Sequence, residues 1–191
     1  MTTVYFVRHA EPNYNNHDDR ERELTEKGLQ DRTLVTKFLA DKEVDVVLSS
    51  PYKRSVDTIL DFARKNSLEI SYVDNFRERK IDSVWIEDFA GFSKKQWEDF
   101  DFKLADGESL GEVQKRNIQA LNHALKEYAD KTIVVGSHGT ALSTIINYYD
   151  TSFGYEDFEK IRTLMPWIVK FTFQDTECVG IEQYNLFEMI I

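Results

Sequence analysis

Short apolar runs alternate along this chain with longer segments in which apolar residues recur every three or four positions. The short runs predict strands, and they cover residues 3–8, 44–48, 70–73 and 132–136. The longer segments predict amphipathic helices, at about 24–40, 50–63, 109–128 and 139–146. Strands that alternate with helices are typical of a three-layer α/β/α fold with a mainly parallel central sheet.

The C-terminal part of the chain follows a different pattern. Residues 168–173 and 179–187 show partial two-residue alternation on either side of the polar segment 174–177. This pattern predicts an antiparallel pair of strands at the edge of the sheet, and a short helical excursion is predicted before it at 150–162. A chain of this length is expected to form one domain, here 1–191.

Two segments between the predicted elements are irregular. Residues 11–23 form a polar connection that is long for a plain loop, and long loops are often functional. Residues 74–107 contain Trp85, Trp97 and several acids without a clear period. We expect 74–107 to form loops and short helices, one of them near 94–100, as a lid over the sheet.

Three of the helix starts carry capping signals. Thr25 is placed to cap the first helix. Ser50 is the predicted N-cap of the second helix, with Pro51 at its first position. Ser109 and Glu112 form a capping box at the start of the long third helix.

The net charge limits the classes of ligand. The chain carries 24 lysines and arginines against 34 aspartates and glutamates, a formal net charge of −10. A protein this acidic is a poor candidate for non-specific binding to nucleic acid or to an anionic membrane. An anionic substrate therefore requires positive charge gathered locally in the site.

Cysteine content and the hydrophobic runs limit the remaining classes. Cys178 is the single cysteine, so no internal disulfide and no cysteine-rich metal site are expected. No basic N-terminal region precedes an apolar core, and no apolar run approaches the length of a membrane span. These features predict a cytoplasmic protein.

Candidate chemistry follows three of the predicted parallel strands. The first strand ends in Arg8 and His9, the second leads through a Ser-Ser-Pro segment to Arg54, and the fourth ends at His138. Carboxyl ends of parallel strands lie at one edge of a sheet, where α/β folds place their ligand crevice. Each residue taken singly also fits a structural role, as a strand-end histidine or a surface arginine. Their joint placement predicts the local positive cluster that an anionic substrate requires.

This residue set suits a phosphorylated substrate. Arginine donates two parallel hydrogen bonds to phosphate oxygens, and the helices predicted to begin near residues 50 and 139 offer free N–H groups to the same anion. In phosphoryl transfer the protein mainly positions the reactants and neutralises charge. A small phosphorylated metabolite is therefore the expected substrate.

The order of motifs resembles the histidine phosphatase superfamily, with its phosphoglycerate mutase-like fold. The resemblance spans most of the chain and rests on these segments in this order: Val7-Arg8-His9-Ala10-Glu11, Asn15, Leu24-Thr25-Glu26-Lys27-Gly28, Ser49-Ser50-Pro51-Tyr52-Lys53-Arg54-Ser55, Phe76-Arg77-Glu78, Gly107-Glu108-Ser109-Leu110 and Val134-Val135-Gly136-Ser137-His138-Gly139.

The resemblance implies a role for each matching residue. His9 is the implied nucleophile, which forms a phosphohistidine. Arg8, Arg54 and His138 are implied to hold the phosphoryl oxygens, and His138 also joins His9 in the catalytic set. Glu78 is the implied proton donor, and Asn15 an accessory phosphate contact. No metal and no cofactor are implied, since the arginines neutralise the transferring group.

Two features weaken the match. The family usually has glycine after the nucleophile, and Ala10 stands there in this chain. We expect activity to survive, because alanine is nearly as small. Glu87 is the second candidate for the proton donor, and Asp82 lies in the same irregular stretch.

Several functions remain open at the level of sequence. Because residues 74–107 are too modest a segment to enclose a phosphoglycerate, a phosphatase is favoured over a mutase. A catalytically silent module that binds a phosphorylated ligand is a further alternative. A metallohydrolase built from His9, His17, His123 and His138 is the least favoured, because no metal-binding spacing occurs among them. In the lid, the residues that could select the substrate are Arg77, Arg79, Lys80, Trp85 and Trp97.

Overall fold

Six strands form one mixed sheet in the computed structural model, which describes residues 1–188. The strands are β1 (Thr2–Arg8), β2 (Val46–Ser49), β3 (Ile70–Tyr72), β4 (Thr132–Ser137), β5 (Trp167–Gln174) and β6 (Glu177–Tyr184). Their order across the sheet is β3-β2-β4-β1-β5-β6. Strands β1 to β4 pair in parallel, whereas β5 and β6 are antiparallel. The predicted parallel sheet with an antiparallel C-terminal edge is therefore confirmed.

Helices cover both faces of this sheet. They are α1 (Glu26–Leu39), α2 (Lys53–Lys65), α3 (Phe89–Glu98), α4 (Leu110–Glu127), α5 (Gly139–Tyr149) and α6 (Tyr155–Ile161), with a 3₁₀ turn at Asp74–Phe76. Helices α1 and α2 pack together on one face, and α4, α5 and α6 contribute to the core on the other. Within residues 1–188, none of the helices is long and apolar enough to cross a membrane.

The side chains of β1 explain why its sequence is a continuous apolar run. Val4 and Phe6 are fully buried in the core under α4 and α5, whereas Tyr5 and Val7 point into the core under α1 and α2. A strand alternates its side chains between two faces, so a strand covered on both faces is apolar at every position. The packing on both faces holds β1 in place, and with it Arg8, its last residue, and His9, which follows directly.

Two of the three predicted helix caps are present. The Thr25 hydroxyl accepts from the Gly28 amide at 3.0 Å. Ser109 accepts from the Glu112 amide at 3.2 Å, and the Glu112 carboxylate accepts from the Ser109 amide at 2.9 Å. Each cap satisfies amides that the first helical turn leaves unpaired.

The predicted cap at Ser50 is wrong. Helix α2 begins at Lys53, and Tyr52 occupies the N-cap position without a side-chain hydrogen bond. The Ser50 hydroxyl bonds instead to a ring nitrogen of His138 at 2.7 Å and accepts from the Tyr52 amide at 3.2 Å. The Ser50 hydroxyl therefore bonds to a residue 88 positions away and not to the helix that the local sequence predicts it to cap.

The irregular segment 74–107 contains a helix earlier than predicted. Helix α3 covers Phe89–Glu98, and the Asp88 carboxylate caps it by accepting from the Gly91 amide at 2.9 Å. The predicted helix near 94–100 was therefore placed about one turn late, because this aspartate cap was overlooked. Residues 189–191 of the predicted domain lie outside the described residues.

Candidate active site

The carboxyl ends of three parallel strands meet at one edge of the sheet. Arg8 at the end of β1 pairs with Ser137 at the end of β4, and Ser49 at the end of β2 pairs with Gly136. The chain then continues from these ends to His9, His138 and Arg54. The rings of His9 and His138 lie 5.4 Å apart between centroids. The structure therefore brings together the two arginines and two histidines that sequence reasoning placed at strand ends.

His9 is held in one tautomer by its own neighbour. Its Nδ1 lies 2.8 Å from the carbonyl oxygen of Ala10, and a carbonyl can only accept a hydrogen bond. Nδ1 therefore carries the proton in the neutral ring, and Nε2 carries the lone pair. The Ala10 amide donates to the Thr58 hydroxyl at 3.0 Å, which fixes the backbone that orients the ring.

The surroundings of His9 keep its ring neutral. The side chain is buried, and burial together with the positive charges of Arg54 and Arg8 holds the pKa of His9 well below its ordinary value. Burial disfavours the charged form, and nearby cations disfavour it further. The lone pair on Nε2 is thus available near neutral pH, as a nucleophile requires.

Arg8 is fixed by carbonyl oxygens at the end of α6 and directly after it. Its Nη1 donates to Ile161 at 2.5 Å and to Leu164 at 3.2 Å, and its Nη2 donates to Arg162 at 2.9 Å. Its Nε is buried and has no partner within residues 1–188. A Cβ at Gly139 would lie 2.9 Å from the guanidinium, so only glycine lets Arg8 lie against the start of α5.

Arg54 lies in the first turn of α2 with its side chain buried. Both terminal nitrogens contact Asp19: Nη1 donates to the backbone oxygen, and Nη2 donates to the carboxylate at 3.0 Å. The guanidinium carbon lies 5.2 Å from the centre of the Tyr52 ring. Arg54 therefore reaches the site from the first turn of the helix that follows β2, as predicted, but its two terminal nitrogens are engaged by the backbone oxygen and the carboxylate of Asp19.

A short relay of hydrogen bonds joins Tyr52, Ser50 and His138. The Ser50 oxygen accepts from the Tyr52 amide, and its hydroxyl proton can be donated to His138 Nε2, 2.7 Å away. His138 Nδ1, which then carries the ring proton, is buried without a partner in the described chain. Burial, followed by the positive charge of Arg54, holds the pKa of His138 well below its ordinary value. The neutral ring can therefore offer one N–H donor to a ligand.

Glu78 reaches the same edge of the sheet from the irregular segment. Its carboxylate accepts from the amides of Thr140 at 3.0 Å and Ala141 at 2.9 Å, at the start of α5. It also accepts from the backbone amide of its neighbour Arg79 at 2.8 Å. The first amides of a helix carry partial positive charge, so they hold this carboxylate one turn from His138. Glu78 also acts electrostatically on Arg8, raising its pKa against the effect of burial.

The other two candidate acids have different surroundings. Glu87 is exposed, directly before the cap of α3. The Asp82 carboxylate accepts from the Ser83 amide at 2.7 Å. Of the three acids, Glu78 is the one whose carboxylate contacts the helix that follows His138. The geometry therefore favours Glu78 over Glu87 as the acid nearest the phosphate-binding groups.

Asn15 is not brought into this cluster. Its side chain is exposed, and its backbone amide donates to the side-chain oxygen of Asn13 at 3.1 Å. Among the described hydrogen bonds, none joins Asn15 to Arg8, His9 or Arg54. Its accessory role remains a prediction.

Sequence reasoning missed two charged residues of the polar loop 11–23, Asp19 and Arg22. Arg22 is buried, and its Nη1 donates to the Asp19 carboxylate at 3.1 Å. Its positive charge contributes to the low pKa of His9, and its guanidinium carbon lies 5.8 Å from the Trp85 ring. The available signal was the unusual length of the loop, but length alone does not identify which of its many charges turns inward.

The remaining histidines are placed away from a shared centre. The His17 ring stacks on Trp85 with centroids 4.0 Å apart. His123 lies exposed on α4, 3.2 Å from Glu127. In the part of the chain that the structure describes, no group of three or more His, Cys, Asp or Glu side chains is arranged to hold a metal ion.

Comparison with protein families decides the wider class. The sequence model of the histidine phosphatase superfamily (branch 1) matches residues 4–185. The chain belongs to this superfamily. The predicted family is therefore confirmed, as is the predicted class of enzyme, a phosphomonoester hydrolase.

Two relatives with sequence similarity to this chain are both named as phosphoserine phosphatases. Phosphoserine phosphatase 1 of Hydrogenobacter thermophilus is 28% identical over 155 residues, which cover 72% of this chain and 71% of the relative. A metal-independent phosphoserine phosphatase of Arabidopsis thaliana is 28% identical over 162 residues, which cover 76% of this chain and 67% of the relative.

Solved structures show the same fold. A mutant phosphoserine phosphatase of Entamoeba histolytica, in complex with phosphoserine, matches with a TM-score of 0.80 and 23% identity over 100% of both chains. A mycobacterial glucosyl-3-phosphoglycerate phosphatase matches with a TM-score of 0.71 and 16% identity, covering 96% of this chain and 98% of the other. At these identities the likeness establishes the fold.

Proposed function

We propose that this superfamily member hydrolyses a small phosphomonoester through a phosphohistidine on His9, with Glu78 as the proton donor and acceptor. One observation carries the proposal. His9 Nδ1 donates to the Ala10 carbonyl at 2.8 Å, which leaves the lone pair on Nε2 in a ring that burial and two arginines keep neutral. A nucleophile with these properties can attack phosphorus without a preceding deprotonation.

The proposed reaction has two displacements. In the first, His9 Nε2 forms a bond to phosphorus while the ester oxygen leaves with its electron pair and takes a proton from Glu78. In the second, water attacks phosphorus, gives its proton to Glu78, and the bond to Nε2 breaks. Inorganic phosphate leaves, and both residues return to their starting states. Splitting one displacement into two is the general advantage of covalent catalysis.

The proposed phosphate-binding groups surround His9. Nε of Arg8 is a buried donor without a partner in the described chain, and Nδ1 of His138 is a second one in the tautomer in which Ser50 donates to Nε2. Phosphoryl oxygens can accept from both. Arg54 adds a planar pair of donors that fits phosphate once Asp19 releases them. Donors fixed before the reaction stabilise charge on the transferring group without reorganising.

Phosphoserine is the first substrate we propose. The support is that both relatives are named as phosphoserine phosphatases and that the Entamoeba histolytica structure contains phosphoserine. We assign substrate selection to the predicted lid at 74–107, because the same segment carries Glu78 to the start of α5. The cytoplasmic location and the single domain stay predictions.

The test is a phosphate-release assay in EDTA with phosphoserine, 3-phosphoglycerate and an aryl phosphate. Wild type should release phosphate from phosphoserine and form an acid-labile phosphoenzyme that His9→Ala cannot form. His123→Ala removes an exposed histidine on α4 and should behave as wild type. Turnover by His9→Ala at the wild-type rate would contradict the mechanism. Exchange of phosphate between positions of phosphoglycerate, faster than release, would identify a mutase.

A further inference from the structure

Arg116 of α4 is tied to the segment that carries Glu78. Its Nη1 donates to the carbonyl oxygens of Asn75 at 2.9 Å and Arg77 at 2.7 Å, and its Nη2 donates to that of Glu78 at 3.1 Å. The Arg116 side chain is itself buried. One guanidinium thus binds three carbonyl groups within four consecutive residues of an irregular segment.

Glu108 completes this arrangement from the other side. Its carboxylate accepts from Arg116 Nε at 2.8 Å and Nη2 at 2.9 Å, a two-point ion pair. It also accepts from the Lys80 amide at 2.9 Å. Although burial opposes ionisation, the hydrogen bonds from Arg116 and from the Lys80 amide hold the pKa of Glu108 below its ordinary value. Glu108 belongs to the Gly107-Glu108-Ser109-Leu110 motif, for which the proposed mechanism has no role.

The two residues hold the backbone on both sides of Glu78. Arg116 fixes carbonyl groups at 75, 77 and 78, and Glu108 fixes the amide at 80. The fully buried Phe76 anchors the same segment in the core. From this backbone the Glu78 side chain reaches the amides of Thr140 and Ala141. The backbone on both sides of Glu78 is therefore fixed by hydrogen bonds from outside the segment.

We propose that Arg116 and Glu108 are positioning residues that place the Glu78 carboxyl group for proton transfer to the leaving oxygen. The inference rests on the role of Glu78 in the proposed function. Neither residue is assigned a contact with the substrate. Proton transfer requires the acid within hydrogen-bond reach of the oxygen, so a backbone shift of an ångström at Glu78 removes its contribution while His9 and the arginines stay in place.

The test compares two substrates that differ in their need for an acid. When the phosphoryl group is transferred from an alkyl phosphate such as phosphoserine, the leaving group is an alkoxide unless an acid protonates its oxygen. The leaving group of p-nitrophenyl phosphate is a phenolate, which is stable without a proton. The measured quantity is kcat/KM, which reports formation of the phosphoenzyme. We expect Arg116→Gln and Glu108→Gln to lower kcat/KM for phosphoserine by about 100-fold, the lower range for general acid catalysis, and to lower it only about threefold for the aryl phosphate.

Control variants separate this role from stability and from the proposed function. Lys115→Gln removes one positive charge from the neighbouring, exposed position of α4 and should leave both substrates unaffected. Glu78→Gln should show the same substrate-dependent loss as Arg116→Gln. Equal losses on both substrates in the Arg116 and Glu108 variants would overturn the positioning role while leaving Glu78 intact as the acid. If Glu78→Gln shows no substrate-dependent loss, Glu78 is not the proton donor, and the positioning role of Arg116 and Glu108 is overturned with it. Glu108→Gln, which keeps the size of the side chain, serves where Arg116→Gln fails to fold.

Discussion

Asp19 binds Arg54 through both its backbone oxygen and its carboxylate. The Arg54 side chain is buried while that of Asp19 is partly open to solvent, and the same carboxylate oxygen also accepts from Arg22. The anion held by Arg54 in this structure is therefore a carboxylate of the chain itself. A phosphate that uses the Arg54 donors has to compete with it, and the polar loop 11–23 is the element that must yield.

Asp19→Asn should tighten the binding of inorganic phosphate as a competitive inhibitor. Asparagine keeps an acceptor oxygen for Arg54 but removes the negative charge that competes with the ligand. We expect the inhibition constant to fall about three- to tenfold, since charge-assisted hydrogen bonds contribute roughly 1.5 kcal/mol or more and this one is partly exposed. Steady-state inhibition of aryl phosphate hydrolysis measures the change.

Asp18→Asn is the matched control for this substitution. Asp18 carries the same charge one residue earlier and accepts from the amides of Arg20 and Glu21, which asparagine can also bond. Its substitution removes one charge from the loop without freeing Arg54. An equal gain in phosphate affinity in both variants would show that the general charge of the loop, and not the contact with Arg54, limits binding.

Gly139→Ala should lower activity by displacing Arg8. The new Cβ would lie 2.9 Å from three atoms of the guanidinium, so the arginine must shift from the carbonyl groups that hold it. A displacement of about 1 Å in a positioned group can cost on the order of 100-fold in rate. Gly154→Ala is the control, because nothing lies within 4 Å of its Cβ. Activity of Gly139→Ala at the level of Gly154→Ala would mean that Arg8 is not needed in its observed place.

The buried histidines should make the folded state less stable as the pH falls below about 6.5, the ordinary histidine value. Burial and neighbouring arginines lower the pKa values of His9 and His138 in the folded protein. Below pH 6.5 the unfolded chain therefore binds protons that the folded chain does not, and the free energy of unfolding decreases. The slope is about 1.4 kcal/mol per pH unit for each proton.

Urea unfolding at several pH values between 7 and 5 measures this slope. His9→Gln should reduce it, because the unfolded chain then takes up one proton fewer, while the contribution of the carboxylates is common to both proteins. Equal slopes for wild type and His9→Gln would mean that His9 gains its proton as readily in the folded protein.

Signals that act over a few residues account for what could be predicted from sequence. The Thr25 cap, the Ser109 capping box and the apolar run of β4 each depend on neighbours within one helical turn or one strand. The parallel sheet then carries His9, Arg54 and His138 to one edge, because topology alone brings strand ends together. The candidate site was predictable to that extent.

Partners distant in sequence account for what could not be predicted. The local sequence predicts Ser50 as a helix cap, but its hydroxyl bonds to His138, 88 residues later in the chain. Asp19 and Arg54 are 35 residues apart, and Arg116 lies 38 residues from Glu78. No local pattern distinguishes such residues from the solvated charges that surround them, since 30% of the chain is charged.

Gln96→Leu should destabilise the fold by about 3 kcal/mol, because it leaves buried polar groups without partners. Gln96 is fully buried; its Oε1 accepts from Arg79 at 2.8 Å, and its Nε2 donates to the carbonyl groups of Phe102 and Glu108. Burial already lowers the pKa of Arg79 to about 10, so this guanidinium depends strongly on the few acceptors it has.

The double variant Gln96→Leu with Arg79→Met provides the matched comparison. The guanidinium carbon of Arg79 lies 5.4 Å from the centre of the Phe89 ring and 5.2 Å from that of the Phe92 ring, surroundings that suit an apolar side chain. Removing both polar partners can be far less costly than removing one, so methionine should restore part of the stability that Gln96→Leu loses. Urea unfolding of the four proteins in the cycle measures the coupling between the two side chains. If the two losses simply add, the hydrogen bond between Arg79 and Gln96 does not stabilise the segment 74–107, and the rings around Arg79 hold α3 in place without it.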